Sequence, residues 1–402
     1  MSETFFGKQG FMWWQGVVED IGDPLKLGRC RVRIFGYHVP DKGKIKTEDL
    51  PWAYPVQPIT SAALCGIGHS PTGLLPGSHV FGFFRDGESA QQPIMLGSIP
   101  GIPQKPSNPN EGFGDPNGIF PYETSVHGHS QIGESDVSRL ARNQNVNDTA
   151  IGKKAQDDYY QGVPTANQSG GNWNEPPSSY FAVYPFNHVK ETLSGHIQEF
   201  DDTPGAERIH TYHRSGTFNE IHPEGTEVHK VVSNKYELIA GDEYVHVQGN
   251  VNLIVGGKAE GERDSNITIL VRGNAGVQVD GNVFGNIKGD ATLQIEKSLN
   301  AEVKKNMTIG VKGSTVINTA GDTEITSKGK LKLSGDKGVE LTSSMGNVDM
   351  NSATASVNIT AATTAMFQTI SGGIEIMAQG ESATGKWDSS GIKFNAAGID
   401  LN

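Results

Sequence analysis

The sequence predicts an all-β protein in three parts: a small N-terminal barrel, an extended linker and a long repetitive β-structure. Three observations carry this. The first hundred residues hold short runs in which charged and apolar side chains alternate, as half-buried strands require. The middle is polar and rich in Asn, Gln, Gly, Ser and Pro. From residue 241, glycine recurs at a step of eight. The expected boundaries are 1–105 for the barrel, 106–180 for the linker, 181–240 for a lead-in to the repeats and 241–402 for the repeats.

In the first part, QGVVED (15–20) runs into the turn Gly22-Asp23-Pro24. RCRVRIF (29–35) then alternates, and 80–85 and 93–96 read as further strands. Several short strands in so short a span predict a barrel of the oligonucleotide/oligosaccharide-binding (OB) type. It shows no stripe of interleaved aromatic and basic residues, so a docking role is expected rather than ligand binding.

The linker contains SNPNEGFGDPNG, LARNQNVNDTAIGKKAQ and QGVPTANQSGGNWNEPPSS. Such composition buries too little apolar surface to offset chain entropy. An extended segment wrapped on its neighbours is expected, with one short helix near 137–142.

Stepping by eight from Gly241 gives twelve positions, and nine are Gly: Gly241, Gly249, Gly257, Gly273, Gly281, Gly289, Gly313, Gly321 and Gly329. With 51 Gly in 402 residues, chance supplies one or two. Asn or Asp often follows, as in Asp242, Asn250 and Asn274, and this pairing suggests sharp turns that use positive φ. Between turns, apolar residues share one face at period two: Val251, Leu253 and Val255; Ile267, Ile269 and Val271; Val277 and Val279; Leu293 and Ile295; Ile309 and Val311. Each octad is thus one short strand plus one corner, and stacked octads make a triangular β-prism with these side chains on its axis. Burial is worth roughly 1.5–3 kcal/mol for each such residue. One chain coiling with three octads per turn, or three chains intertwined, fits the repeat equally. Past Gly329 the step lengthens to nine, through Val339, Val348, Val357 and Met366. The alternation runs on to Ile399, Asp400, Leu401 and Asn402, an end of open backbone groups that calls for a cap.

Composition narrows the partners. A net charge of -12 disfavours nucleic acid and anionic membranes. No run approaches 18 apolar residues, so any membrane crossing would be mechanical, and the opening MSETFFGKQGFMWW does not read as a signal peptide. Cys30 and Cys65 are read as buried thiols of a protein assembled in a reducing cytosol.

Several long segments resemble the central spike, or cell-puncturing, proteins of contractile phage baseplates and the related VgrG proteins. They are WQGVVED (14–20) with DPLKLGRCRVR (23–33), LPWA (50–53), QPITSAA (57–63), YPFNHV (184–189) and SGHIQEFDDTPGAER (194–208). The resemblance implies a homotrimeric, intertwined β-helix seated on a trimeric hub. It implies a PAAR-type tip protein at Ile399–Asn402 and penetration of the host outer membrane when the sheath contracts, with the protein residing in the virion tail baseplate. A type VI secretion spike and a spike that degrades cell wall or glycan are the alternative readings. The best-known member of the family carries a lysozyme domain between barrel and β-helix. Here only about 75 polar residues fill that gap, and Glu134 and Asp136 lack the apolar surroundings that raise a catalytic acid.

No catalytic residue, metal site or cofactor is expected. His127 and His129 form the one His-x-His, in the linker. His188, His196, His210, His213, His222, His229 and His246 are expected to face solvent or to stack between chains. Asp201-Asp202 reads as a turn, Lys297 and Lys305 as solvated corners. HExxH, GxSxG and CxxC do not occur. The stretch 380–386 approaches a phosphate loop but is followed by Trp387, where a hydroxyl is needed.

Overall fold

The computed structural model describes residues 12–121, 131–146, 160–165, 170–256 and 265–368. The chain divides into two units, Met1–Ala291 and Thr292–Asn402. The described part is almost entirely β and irregular structure, with one four-residue α-helix.

Five strands close an N-terminal barrel. β1 (Trp13–Asp20) pairs with β2 (Cys30–Ile34) and with β4 (His79–Phe84), while β3 (Trp52–Pro55) runs parallel to β5 (Pro93–Ser98). The order around the barrel is β1-β2-β3-β5-β4. Alternation sends Trp14, Val18, Cys30, Val32, Ile34, Val80, Phe84 and Met95 into one core. The β1–β2 turn is fixed by Asp23, whose carboxylate accepts the N–H groups of Leu25 and Leu27 and pairs with Arg29 at 2.6 Å. The Arg29 hydrogen bond holds that carboxyl far below the usual carboxylate range.

Gly82 on β4 is needed for close approach. A Cβ there would strike the Ile94 carbonyl and lie 2.7 Å from the Trp14 ring. Gly82→Ala is expected to lower barrel stability by about 1–3 kcal/mol in thermal unfolding. Gly73→Ala, with nothing within 4 Å, leaves it unchanged.

Burial departs from simple alternation at Arg33, which lies on the outer face of β2 yet is fully buried. It pairs with the equally buried Glu19 at 2.6 Å and donates to the carbonyls of Val39 and Ile45. Glu19 also accepts from Thr47 Oγ1 and from the Phe113 N–H. One ion pair therefore gathers the 39–47 loop and the first stretch of the polar middle onto the barrel. Phe113 stacks on Phe35 with centroids 4.5 Å apart, and buried Asp115 accepts three backbone N–H groups. Cys30 is buried, and burial pushes its thiol up to about 11. Cys65, expected to be buried, is exposed, because it sits in a surface turn closed by the Leu64–Ile67 bridge.

The helix expected near 137–142 is α1 (Arg139–Arg142), capped by the Ser138 side chain. A two-stranded ribbon, β6 (Val163–Pro164) with β7 (Asn172–Trp173), follows. Next comes an antiparallel meander of five strands: β8 (Asn187–Glu191), β9 (Ile197–Asp201), β10 (Arg208–Tyr212), β11 (Phe218–Ile221) and β12 (Glu227–Lys230). Asp201 ends β9, and its carboxylate accepts from Thr203 N and Oγ1, so the turn expected at Asp201-Asp202 falls just after them, at 203–206.

From 231 to 368 the described chain has no paired strands. Its backbone bends at 240–241, 248–249, 272–273, 280–281, 288–289, 312–313, 320–321 and 328–329, and also at 296–297 and 304–305, where Lys replaces Gly. Further on, the bends fall at 336–337, 344–346, 353–355 and 362–363. Gly257, His127, His129, 380–386 and Ile399–Asn402 lie outside the described residues. The positive φ expected at the corners is not found, because none of the described corner glycines adopts it. This explains why Lys297 and Lys305 can occupy the same bend.

Candidate functional site: an uncovered apolar face and a buried charge cluster

The octads leave their apolar side chains open. All twelve residues assigned to the axis are exposed in the single chain, Val277 at 92 % and Ile269 at 79 %. A Cβ added at any described corner glycine would meet nothing within 4 Å. Neither strain nor crowding within the chain accounts for glycine there.

The five-stranded sheet has an inverted polarity. Its covered face carries Asn187, Glu199, Asp201, Arg208, His210 and Glu220, all buried. Its open face carries Phe200 beside Ile209, and Ile209 beside Ile221, with Phe200 48 % and Ile209 45 % exposed. The cover comes from 131–146 and 175–182. Leu140 packs on Ile197 and Tyr212, the Tyr180 hydroxyl donates to the Leu140 carbonyl, and Ser138 Oγ donates to Glu191.

At the centre of the covered face, Arg208 bridges two carboxylates. Its Nη2 lies 2.7 Å from Glu199 Oε1 and its Nη1 2.7 Å from Glu220 Oε2. His210 Nδ1 is 2.8 Å from Glu199, and His222 Nε2 is 2.9 Å from Glu220. Ser178 Oγ and the Ser179 N–H both donate to Glu220, and the Arg208 guanidinium lies 4.9 Å from the Tyr180 ring centre. Burial alone would raise both carboxyls. The His210 hydrogen bond and the Arg208 charge outweigh it at Glu199, the Arg208 and His210 charges do so at Glu220, and both are held below the usual range. Burial lowers and the two glutamates more strongly raise the affinity of Arg208 for its proton. The cluster is a solvent-excluded ion network that ties 175–182 to the sheet.

His210 and His222 were expected to face solvent or to stack between chains. They are instead buried, because the register sets His210 opposite both Glu199 and Glu220 and His222, two residues past Glu220, falls on the same face. His196 and His213 lie against each other within the chain, with ring centres 4.5 Å apart and planes tilted by 46°. His188, His229 and His246 are exposed. Among the described residues no group of three His, Cys, Asp or Glu is placed to hold a metal ion. Glu134 pairs with Arg142 at 2.8 Å and Arg139 at 3.1 Å. The Arg142 hydrogen bond holds its carboxyl below the usual range, the reverse of what a general acid needs.

The sequence model of the family described as the Gp5 N-terminal OB domain matches residues 37–179. Protein Gp5 of Vibrio phage KVP40 is 42 % identical over 284 residues, which is 63 % of this chain and 66 % of that protein. The chain belongs to the Gp5-like family of baseplate central spikes. A second Gp5-like relative, the pre-baseplate central spike protein Gp5 of Enterobacteria phage T4, is 44 % identical over 149 residues, covering 35 % of this chain and 26 % of that protein. The matched part thus spans just under two thirds of the Vibrio phage Gp5 and about a quarter of the T4 one. The Gp5 OB match begins after β2, takes in β3, β4 and β5 and the segments pinned on Glu19 and Arg33, and runs on into the covers of the sheet.

Proposed function

We propose that three copies of this chain wind together into a spike at the centre of a contractile phage tail baseplate, and that its work is mechanical. The uncovered apolar face of the octads carries the reading. Side chains such as Ile269 and Val277 remain in water until other chains cover them, and interlocked octads would bury them along one axis. The corner glycines, unexplained within one chain, suit close approach of neighbouring backbones. The baseplate setting comes from the relatives' names.

In this reading the barrel seats the spike on a trimeric hub, and the polar middle straps barrel and sheet. The octads transmit axial load through the host outer membrane, and a PAAR-type protein caps Ile399–Asn402. Cell-wall cleavage is left to another protein. Light scattering of the purified full chain is expected to give three times the chain mass, with elongated rods in electron micrographs. Peptidoglycan zymography is expected to show no clearing. A monomeric mass defeats the assembly, and strong clearing defeats the mechanical reading.

A further inference from the structure

In three intertwined chains, each octad fills one face of the prism and the next octad moves to the next face. The neighbour of a strand on its own face then belongs to another chain and lies one octad further along the sequence. In a single coiling chain the neighbour would be three octads further along. Neighbouring strands are about 4.8 Å apart, so side chains one octad apart would touch only in the intertwined form.

Charge follows the one-octad step. The residue before each corner reads Arg272, Asp280, Lys288, Glu296 and Lys304, with alternating sign. A mid-strand position reads Glu324, Lys332 and Glu340, again alternating, and Lys328 and Asp336 continue the pattern. Between 265 and 340 the exceptions are Lys297 with Lys305 and Lys304 with Lys312. At two octads the signs clash at Arg272 with Lys288, Asp280 with Glu296, Lys288 with Lys304 and Glu324 with Glu340, the exception being Glu296 with Lys312. At three octads the pre-corner series also brings opposite charges together, Arg272 with Glu296 and Asp280 with Lys304, so the mid-strand series is the one that separates the two forms: three octads from Glu324, Lys332 or Glu340, in either direction, there is no charged residue. All of these side chains are exposed in the described chain, and those before a corner stand at the first residue of the bend. Among the described residues none of them pairs with an opposite charge within its own chain.

We infer that these residues form ion-pair ladders between chains and set the register of the trimer. The inference rests on the three-chain reading above and adds to it which residues of one copy meet which of the next. One exposed pair is weak, but each recurs three times by symmetry. A slip of one octad sets a residue against its own copy or against one two octads away, and of the charged pairs so formed all but Glu296 with Lys312 are like against like.

The test is cross-linking of the full chain carrying Cys65→Ser, which removes the exposed native thiol. Glu324→Cys combined with Lys332→Cys is expected to give a covalent trimer on mild oxidation, visible on a boiled, non-reducing gel, because the two positions would lie within disulfide reach. Glu324→Cys combined with Glu340→Cys is expected to stay monomeric on the same gel. A trimeric mass by light scattering with no cross-link in the first pair, or with equal cross-linking in both, overturns the ladder and leaves the trimer standing. A monomeric mass overturns the three-chain reading itself. As a second arm, Lys332→Glu is expected to lower the melting midpoint at low salt, with recovery in the triple reversal E324K/K332E/E340K. An unchanged midpoint in Lys332→Glu counts against the ladder.

Discussion

Ile269→Asp is expected to abolish the trimer at neutral pH. In the single chain this side chain is 79 % exposed, where the same substitution should cost little. Wound into a prism, three aspartates would share one dry layer on the axis. Each buried carboxylate carries a desolvation penalty of about several kcal/mol, and the three also repel one another. Light scattering on the variant should then return a mass near one chain. Acid should partly restore the assembly, because protonation removes the charge, and Ile269→Asn should fall between Ile269→Asp and the parent. A stable Ile269→Asp trimer at neutral pH would place this face outside any axis and remove the main support for the spike.

Much of the architecture was legible because it is periodic. Alternation located four of the five barrel strands to within a residue or two and missed β3, whose four residues are too few to alternate visibly, and the eight-residue glycine spacing marks positions at which the backbone bends. What was not legible depended on long-range partners. RCRVRIF reads as a strand with its arginines in water, yet Arg33 is buried because Glu19, the 39–47 loop and Phe113 close over it. The polar middle reads as linker by composition, but Asp115 and Leu140 are buried where it meets barrel and sheet. In the meander, period two was visible in Glu199, Asp201, Arg208, His210 and Glu220. The rule that apolar faces turn inward picks the wrong side there, because those charges satisfy one another. The corner glycines suggested positive φ, but a bend also forms at ordinary φ, as Lys297 and Lys305 require. Charges at the eight-residue step acquire meaning only once strands from different chains are stacked.

Arg208→Met is expected to destabilise the five-stranded sheet by about 3–5 kcal/mol, because it strands two buried carboxylates without their shared cation. Glu199 and Glu220 are 0 % and 2 % exposed at the side chain, so water cannot replace the guanidinium. His210 would remain between them, with His222 beside Glu220 only. Loss should appear as faster hydrogen exchange in β9–β11 and as proteolysis of 175–182, whose Ser178 and Ser179 hold on to Glu220. The sign of the pH dependence separates this account from simple loss of packing. In the parent, both glutamates titrate below their ordinary value of 4.5, so their stabilisation is full above that pH and disappears as the pH falls through their depressed values. In Arg208→Met, burial without the cation should raise both carboxyls, so the variant should gain stability on mild acidification where the parent gains none. Adding Glu199→Gln and Glu220→Gln to Arg208→Met should recover most of the loss and flatten the profile. An Arg208→Met variant as stable as the parent, with the parent's pH profile, would show that the cluster is not what holds the strap to the sheet.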